Sequence, residues 1–314
     1  GVGDAEPLPL KDATKQAERS FGVTAAPAVV VAMFTAMQWW WFMCIVNTCN
    51  CAFLASTYKL IPAKQHLDCR LVSIYVVVAV YRSTFPILWE VRPYGCLFHT
   101  PGMFLGGRLA DQMLSHCAEC SLAIYVSMIS ERLLCACGGT SSTSKVARWL
   151  HLLITVLART CCWLGVTTTN QCYHIVEESA WAAFGAIHAF VWGGALLHIT
   201  YGSRNTVTQS STSVPSMSIV GIGCAFMAAY ACAMVAVDVP MYINACRNDV
   251  ESSVAYLSVL NGILTMVRCP EVVTDPELWR QSIAWQTFYF GAVPPALTLL
   301  LRTCVPQKAN TKDL

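Results

Sequence analysis

The chain has 314 residues, of which 55% are hydrophobic and 12% charged, with a mean hydropathy of +0.51. Soluble domains carry about 25% charged residues, so the composition excludes an ordinary water-soluble fold and points to a polytopic membrane chain. A formal net charge of +2 excludes a nucleic-acid partner held through its phosphates.

The 17 cysteines are an odd number. Many, such as Cys44, Cys117, Cys161, Cys162, Cys224 and Cys232, lie inside apolar runs, where a free thiol behaves as a small hydrophobe. A disulfide framework is therefore not expected. The close pairs Cys49/Cys51, Cys117/Cys120 and Cys135/Cys137 do not combine into a four-ligand set, so no metal site is expected either. No Asn-X-Ser/Thr sequon occurs.

Residues 1–24 form a polar extension with Pro7 and Pro9 and without the apolar core of a secretory signal. Opening on Gly rather than Met fits removal of an organellar targeting peptide. The expected membrane domain is 25–303, followed by a short basic tail, 304–314. Its first helix is expected over 26–55 around Trp39, Trp40 and Trp41, which belong at an interface or in protein packing. The second is expected over 71–89. Pro86 should kink it by freeing the carbonyl of Arg82, and Arg82 either snorkels outward or pairs with Asp111 or Glu119.

The third helix, about 103–130, carries the most informative stretch of the chain. In 105–119, LGGRLADQMLSHCAE, the residues Arg108, Asp111, Gln112, Ser115, His116 and Glu119 fall at i, i+3, i+4, i+7, i+8 and i+11. That is one polar stripe on one helix face. An ionised side chain at the bilayer centre costs roughly 2.5–3.5 kcal/mol on insertion scales, so the stripe must face other helices or a wet cavity. Spacing favours pairs Arg108/Asp111 and His116/Glu119. The stripe reads as a structural seam, as a path for protons, ions or a ligand, or as the polar side of a surface helix.

A loop is expected at 138–144, GGTSSTS, and a fourth helix over 146–168 with Arg159 well inside. A fifth is expected over 178–200, with Glu178 at the membrane edge, where a helix N-terminus favours a carboxylate. His174 and Glu177 precede it. His188 and His198 lie ten residues apart on it and read as packing residues rather than haem ligands. After a polar loop, 201–216, the sixth helix is expected over 217–244. It is rich in small residues that permit close packing, and it ends VDVPMY with Asp238 as the natural counter-charge of a buried Arg. Residues 253–267 are apolar but short, and read as an interfacial or re-entrant helix. Acidic residues follow at Glu271, Asp275 and Glu277. The last helix is expected over 281–303, with Pro294 and Pro295 inside it.

The expected fold is all-α, a transmembrane bundle of about seven spans plus the short helix near 253–267. With seven spans, seven Lys/Arg (Lys11, Lys15, Arg19, Arg92, Arg247, Arg268, Arg280) lie on the N-terminal side. Ten (Lys59, Lys64, Arg70, Arg132, Lys145, Arg148, Arg204, Arg302, Lys308, Lys312) lie on the C-terminal side, which favours that side as the positive one. No Walker loop, HExxH, GxSxG or CxxCH occurs, and the last span has no Lys for a retinal Schiff base. The run RLADQMLSH resembles the arginine-bearing helix of the ATP synthase proton-channel subunit. That helix stands near a C-terminus, whereas most of this chain follows it, so no family is assigned.

Three functions are expected in order. The first is a structural subunit of a large organellar membrane complex, without catalysis or cofactor of its own, surrounded by other membrane subunits and bound lipid. The mitochondrial inner membrane is favoured over the thylakoid, on the missing Met, the missing sequons and the unpaired cysteines. The second is a proton- or ion-coupled transporter. The third is an intramembrane enzyme, which predicts that His116/Glu119 and His174/Glu177 converge. The candidate intramembrane network is Arg82, Arg108, Asp111, Gln112, His116, Glu119, Arg159, Glu178 and Asp238.

Overall fold

The computed structural model describes residues 36–62, 66–88, 95–97, 107–138, 141–201, 216–267, 271–273 and 276–304. The expected polar extension 1–24, the tail 305–314 and most of the loops 90–102 and 201–216 lie outside the described residues, as do Asp275 and the start of the first expected helix. The fold is all-α in character. Its helices are α1 (Ala36–Tyr58), α2 (His66–Thr84), α3 (Arg108–Ala136), α4 (Ser141–Thr168) and α5 (Gln171–Tyr201). They are followed by α6 (Met217–Ala233), α7 (Val239–Glu251), α8 (Val259–Met266), α9 (Pro276–Thr287) and α10 (Val293–Thr303). Two wide π turns, Met234–Asp238 and Phe288–Ala292, join α6 to α7 and α9 to α10 into continuous rods.

Four stretches are long and apolar enough to cross a membrane: Arg108–Ala136, Lys145–Thr168, Gln171–Tyr201 and Met217–Glu251. The chain is thus an integral membrane protein, with four such helices among the described residues where seven spans were expected. The other three expected spans are helical but more polar. In α2 the charges Asp68, Arg70 and Arg82 share nineteen residues, and α1 carries buried Asn47 and Asn50.

Several boundaries differ from the sequence expectation for local reasons. Pro86 does not kink α2 but ends it: the helix stops at Thr84, because a residue before proline is pushed out of the helical region. Residues 87–88 instead form β1 (Ile87–Leu88), antiparallel to β2 (Gly95–Cys96), which is parallel to β3 (Glu271–Val272). Helix α4 begins at Ser141, inside the expected Ser/Thr loop. Helix α5 begins seven residues before Glu178, because α4 and α5 are joined by Thr169 and Asn170 alone. Thr169 adopts a left-handed φ of 60°, and the Asn170 side chain accepts from the Cys172 amide at 2.9 Å, an N-cap that starts α5. Pro240 does not end the sixth helix. The π turn just before it re-routes the carbonyls that the proline ring would otherwise meet, and α7 runs on to Glu251. Pro294 follows its own π turn at the same offset.

Seven rods alternate in direction among the described residues. The end of α2 meets the start of α3 through Arg82 and Asp111, and the start of α2 meets the end of α3 through Asp68 and Arg132. The start of α1 meets the end of α2, where Trp40 Nε1 donates to the Thr84 carbonyl. A disulfide between Cys172 and Cys246, Cα atoms 5.3 Å apart, ties the start of α5 to the end of α7. Cys96 in β2 is disulfide-bonded as well. The sequence expectation of no disulfide is therefore overturned. The 74-residue separation of Cys172 and Cys246 gives no local spacing signal, and only the antiparallel rods bring them together. The sheet, both disulfide sites and α8 share one end of the bundle, here called the disulfide face.

Residues 253–267 are the short element expected, narrowed to α8. It lies against α4 so closely that a Cβ on Gly262 would sit 1.7 Å from the Thr167 carbonyl oxygen, which only glycine permits. Large apolar side chains point outward along the rods, among them Trp41, Leu153, Phe190 and Ile222, as in a bundle turned to lipid.

Candidate functional site

The polar stripe of α3 faces inward. Arg108, Asp111, Gln112 and Ser115 are all buried, and the surface-helix alternative falls away. Arg82 reaches across from α2 and clamps Asp111 with two bonds, Nε to Oδ1 at 2.8 Å and Nη2 to Oδ2 at 3.1 Å. Of the two fates expected for Arg82, pairing is the one found. Both Asp111 oxygens are therefore engaged from α2, across the helix interface. Arg82 Nη1 also donates to Ser115 Oγ at 3.2 Å, and Ser115 in turn donates to Glu119 at 2.6 Å. The Arg82 guanidinium lies 4.9 Å over the Phe290 ring in the second π turn, a cation–π contact.

Arg159 is the centre of the site. It is 2% exposed on α4, nine residues from the helix end, or about 13 Å along the axis. Its Nη1 donates to Glu119 of α3 and lies 4.0 Å from Glu177 of α5. Its Nε donates weakly to His116 Nδ1 at 3.4 Å, which Trp163 Nε1 approaches at the same distance. The expected His116/Glu119 pair is thus replaced by two separate links to Arg159. Glu177 holds His174 at 2.7 Å, and the His174 ring stacks on Tyr242 of α7 at 4.9 Å. A Cβ on Gly165 would lie 2.6 Å from His174 Nε2, so this glycine makes the hollow in α4 that takes the imidazole. Gln112 donates to the Cys162 sulfur at 3.0 Å.

The convergence predicted for His116, Glu119, His174 and Glu177 therefore occurs, but around a guanidinium. A fixed cation at the centre opposes a metal ion at that point, and no group of three or more metal-ligating residues is found among the described residues.

Glu178 is two turns inside α5, deeper than the membrane edge expected of it. It lies within electrostatic reach of Glu177, Asp238, Glu119 and Arg159. Asp238, the last residue of the first π turn, is buried. It is not the counter-charge of Arg82 or Arg159, whose partners are Asp111, Glu119 and Glu177, and sits instead with Glu178, Tyr230 and Tyr289. Tyr75 of α2 donates to the Tyr289 carbonyl at 3.2 Å.

Two further polar groups were not singled out from sequence. Asp68 and Arg132 form a bidentate ion pair, 2.6 and 2.8 Å, at the end opposite the disulfides. From sequence, Arg132 entered only the count of basic residues on the C-terminal side. In the same half, Trp192 Nε1 donates to Ser130 Oγ at 2.7 Å, and Ser130 Oγ lies 2.7 Å from His188 Nδ1, with His151 stacked beside His188 at 4.1 Å. His198, by contrast, is exposed on α5, so it does not share the buried face of His188. No family model, curated protein or solved structure matches the chain.

Proposed function

We propose that the chain is a proton- or cation-coupled membrane translocator whose binding site is the charged cluster around Arg159. The observation that carries this reading is the crowding of carboxylates around the buried guanidiniums among the described residues. Five carboxylates, Asp111, Glu119, Glu177, Glu178 and Asp238, stand there with three guanidiniums, Arg82, Arg108 and Arg159. Ionised carboxylates crowded together in a bilayer interior cost several kcal/mol each. Uptake of protons or of a cation removes that cost, which makes occupancy of the site and its charge state one event. The linked contacts run from Asp111 near the disulfide face down to Glu119 and Arg159, then back toward the same face at His174. The cluster is thereby arranged to load from that face.

In this reading all seven rods are spans. The disulfide face then lies in an oxidising compartment, and the ten Lys/Arg of the C-terminal side lie opposite it, in agreement with the positive-inside bias. The disulfides remove one of the three grounds for a mitochondrial inner-membrane location and favour a membrane whose disulfide face is lumenal or exterior.

The test is proton entry into liposomes that hold the purified protein and a trapped pH dye, driven by a potassium diffusion potential. Uptake above protein-free vesicles, lost in Glu178→Gln, is expected. Absence of proton uptake, and of sodium or potassium flux in the same vesicles, would sink the proposal. A large native mass with fixed companions would then restore the reading as a subunit of a lipid-embedded assembly.

A further inference from the structure

Between the Arg159 cluster and the face opposite the disulfides, the buried stripe of α5 reads Glu177, Trp181, Phe184, His188, Trp192, at i, i+4, i+7, i+11 and i+15. A titratable residue thus stands on each side of an aromatic pair. On α3 the spacing recurs, with Ser130 eleven residues, three turns, beyond Glu119. Eleven residues place two side chains within about 20° of one face and about 16 Å apart. The second polar layer, His151, His188 and Ser130, is therefore in line with the first and separated from it by Trp181 and Phe184.

The local geometry of this layer is specific. His151 is 2% exposed and His188 is fully buried. Ser130 Oγ accepts from Trp192, so its single proton is free to go to His188 Nδ1, which leaves His188 Nε2 as the protonated nitrogen. That Nε2 and both nitrogens of His151 have no hydrogen-bond partner among the described residues. The two rings stack at 4.1 Å with a 39° tilt, so their in-plane lone pairs do not point at a common atom, which argues against a shared metal ion. Phe184 packs edge-on to both rings, 4.3 Å from His188 and 5.8 Å from His151, and Trp181 packs edge-on to Phe184 at 5.6 Å. Among the described residues, the side chains in hydrogen-bond or ring contact with the pair are Ser130 from α3 and Phe184 from α5, with Trp192 bonded to Ser130, none of them charged. The titratable group in ring contact with His188 is His151.

We propose that His151 and His188 are a second proton-holding station, which receives protons from the carboxylates of the Arg159 cluster past Phe184 and Trp181. This rests on the translocator reading above and names the route to the opposite face. In the step, the O–H bond of a protonated glutamic acid breaks and an N–H bond forms on an imidazole, with water molecules passing the proton between. The donor becomes a carboxylate and the acceptor an imidazolium, which is restored when the proton leaves for the opposite face. Phe184 and Trp181 act as the apolar barrier whose side-chain motion admits those waters.

The test uses the full chain in the same dye-loaded liposomes. His151→Gln and His188→Gln together are expected to slow proton entry about ten-fold or more, and Phe184→Ala to speed it. A double variant that conducts like the wild type overturns the histidine station and leaves the translocator standing. A wild type that does not conduct overturns both. Should the double variant fail to fold, nitrogen-15 spectra of histidine-labelled wild type decide the matter. Protonation of one of the two buried rings between pH 9 and pH 4 is expected, and two rings that stay neutral across that range overturn the proposal.

Discussion

Replacing Arg159 by methionine tests the electrostatics of the site most directly. The substitution keeps a long apolar stem and removes the guanidinium. Glu119 and Glu177 are then left facing each other in the bundle interior, Glu177 only 7% exposed and Glu119 27%. Breaking a buried pair by removing one partner costs about 3–5 kcal/mol. Glu119 keeps Ser115 and Glu177 keeps His174, which places the loss near the lower end, about 3 kcal/mol. A shift of about 4–5 °C in the unfolding midpoint follows for a domain of this size. The free thiols of Cys69, Cys161, Cys162 and Cys304 are buried, so a thiol-reactive fluorophore in detergent reports unfolding as they emerge. The triple variant Arg159→Met, Glu119→Gln, Glu177→Gln removes the stranded charges together with their partner and should recover most of the loss. A single variant within 1 °C of the wild type, or a triple variant no better than the single, would refute the assignment of Arg159 as the shared counter-charge.

Four other outcomes are expected. Gly262→Ala puts a methyl group 1.7 Å from the Thr167 carbonyl oxygen, so α8 must move off α4 at a cost of about 1–3 kcal/mol, read as a lower midpoint and faster proteolysis of residues 252–258. Reduction of Cys172–Cys246, or Cys246→Ser, should lower stability by up to about 4.5 kcal/mol from the 74-residue separation, and an unchanged midpoint under reductant counts against the bond. Dicyclohexylcarbodiimide, which modifies carboxyls in apolar surroundings, should label Glu178 in preference to Asp111, as mapped by peptide mass spectrometry, because both Asp111 oxygens are bonded by Arg82. Asp68→Asn should cost about 2–3 kcal/mol by stranding Arg132, and Arg132→Gln in the same chain should return part of it; equal midpoints in the single and double variants would show that the pair does not act as one.

The apolar runs made the rods legible because a bilayer imposes helix on any apolar segment of sufficient length. The reading of 146–168 and 217–244 was close to α4 and to the start of α6 for that reason. The stripe from Arg108 to Glu119 was legible because helical spacing is fixed. Its partners were less so. Local spacing suggested pairs within α3, whereas Arg82 and Arg159 take the carboxylates from neighbouring rods, and rod order is a tertiary fact. Residue 151 sat unnoticed in a predicted span, since a lone histidine gains meaning only once His188 is stacked on it. The strands were missed because two-residue ladders have no periodicity to read. Pro86 and Pro240 show the same residue type with opposite results: one ends a helix and the other rides behind a π turn.

That π turn sets a phase for everything after it. A π turn amounts to one inserted residue in an α-helix, and each residue advances the helix by about 100° and 1.5 Å. Deleting one residue between Met234 and Asp238 would leave a smooth α-helix of nearly the same length. It would also swing Tyr242 and Cys246 a quarter-turn or more around the axis, away from His174 and Cys172. The extra residue works like a key that aligns two otherwise independent combination wheels: one face of the rod packs along α5 above it, and a different face meets the start of α5 below it.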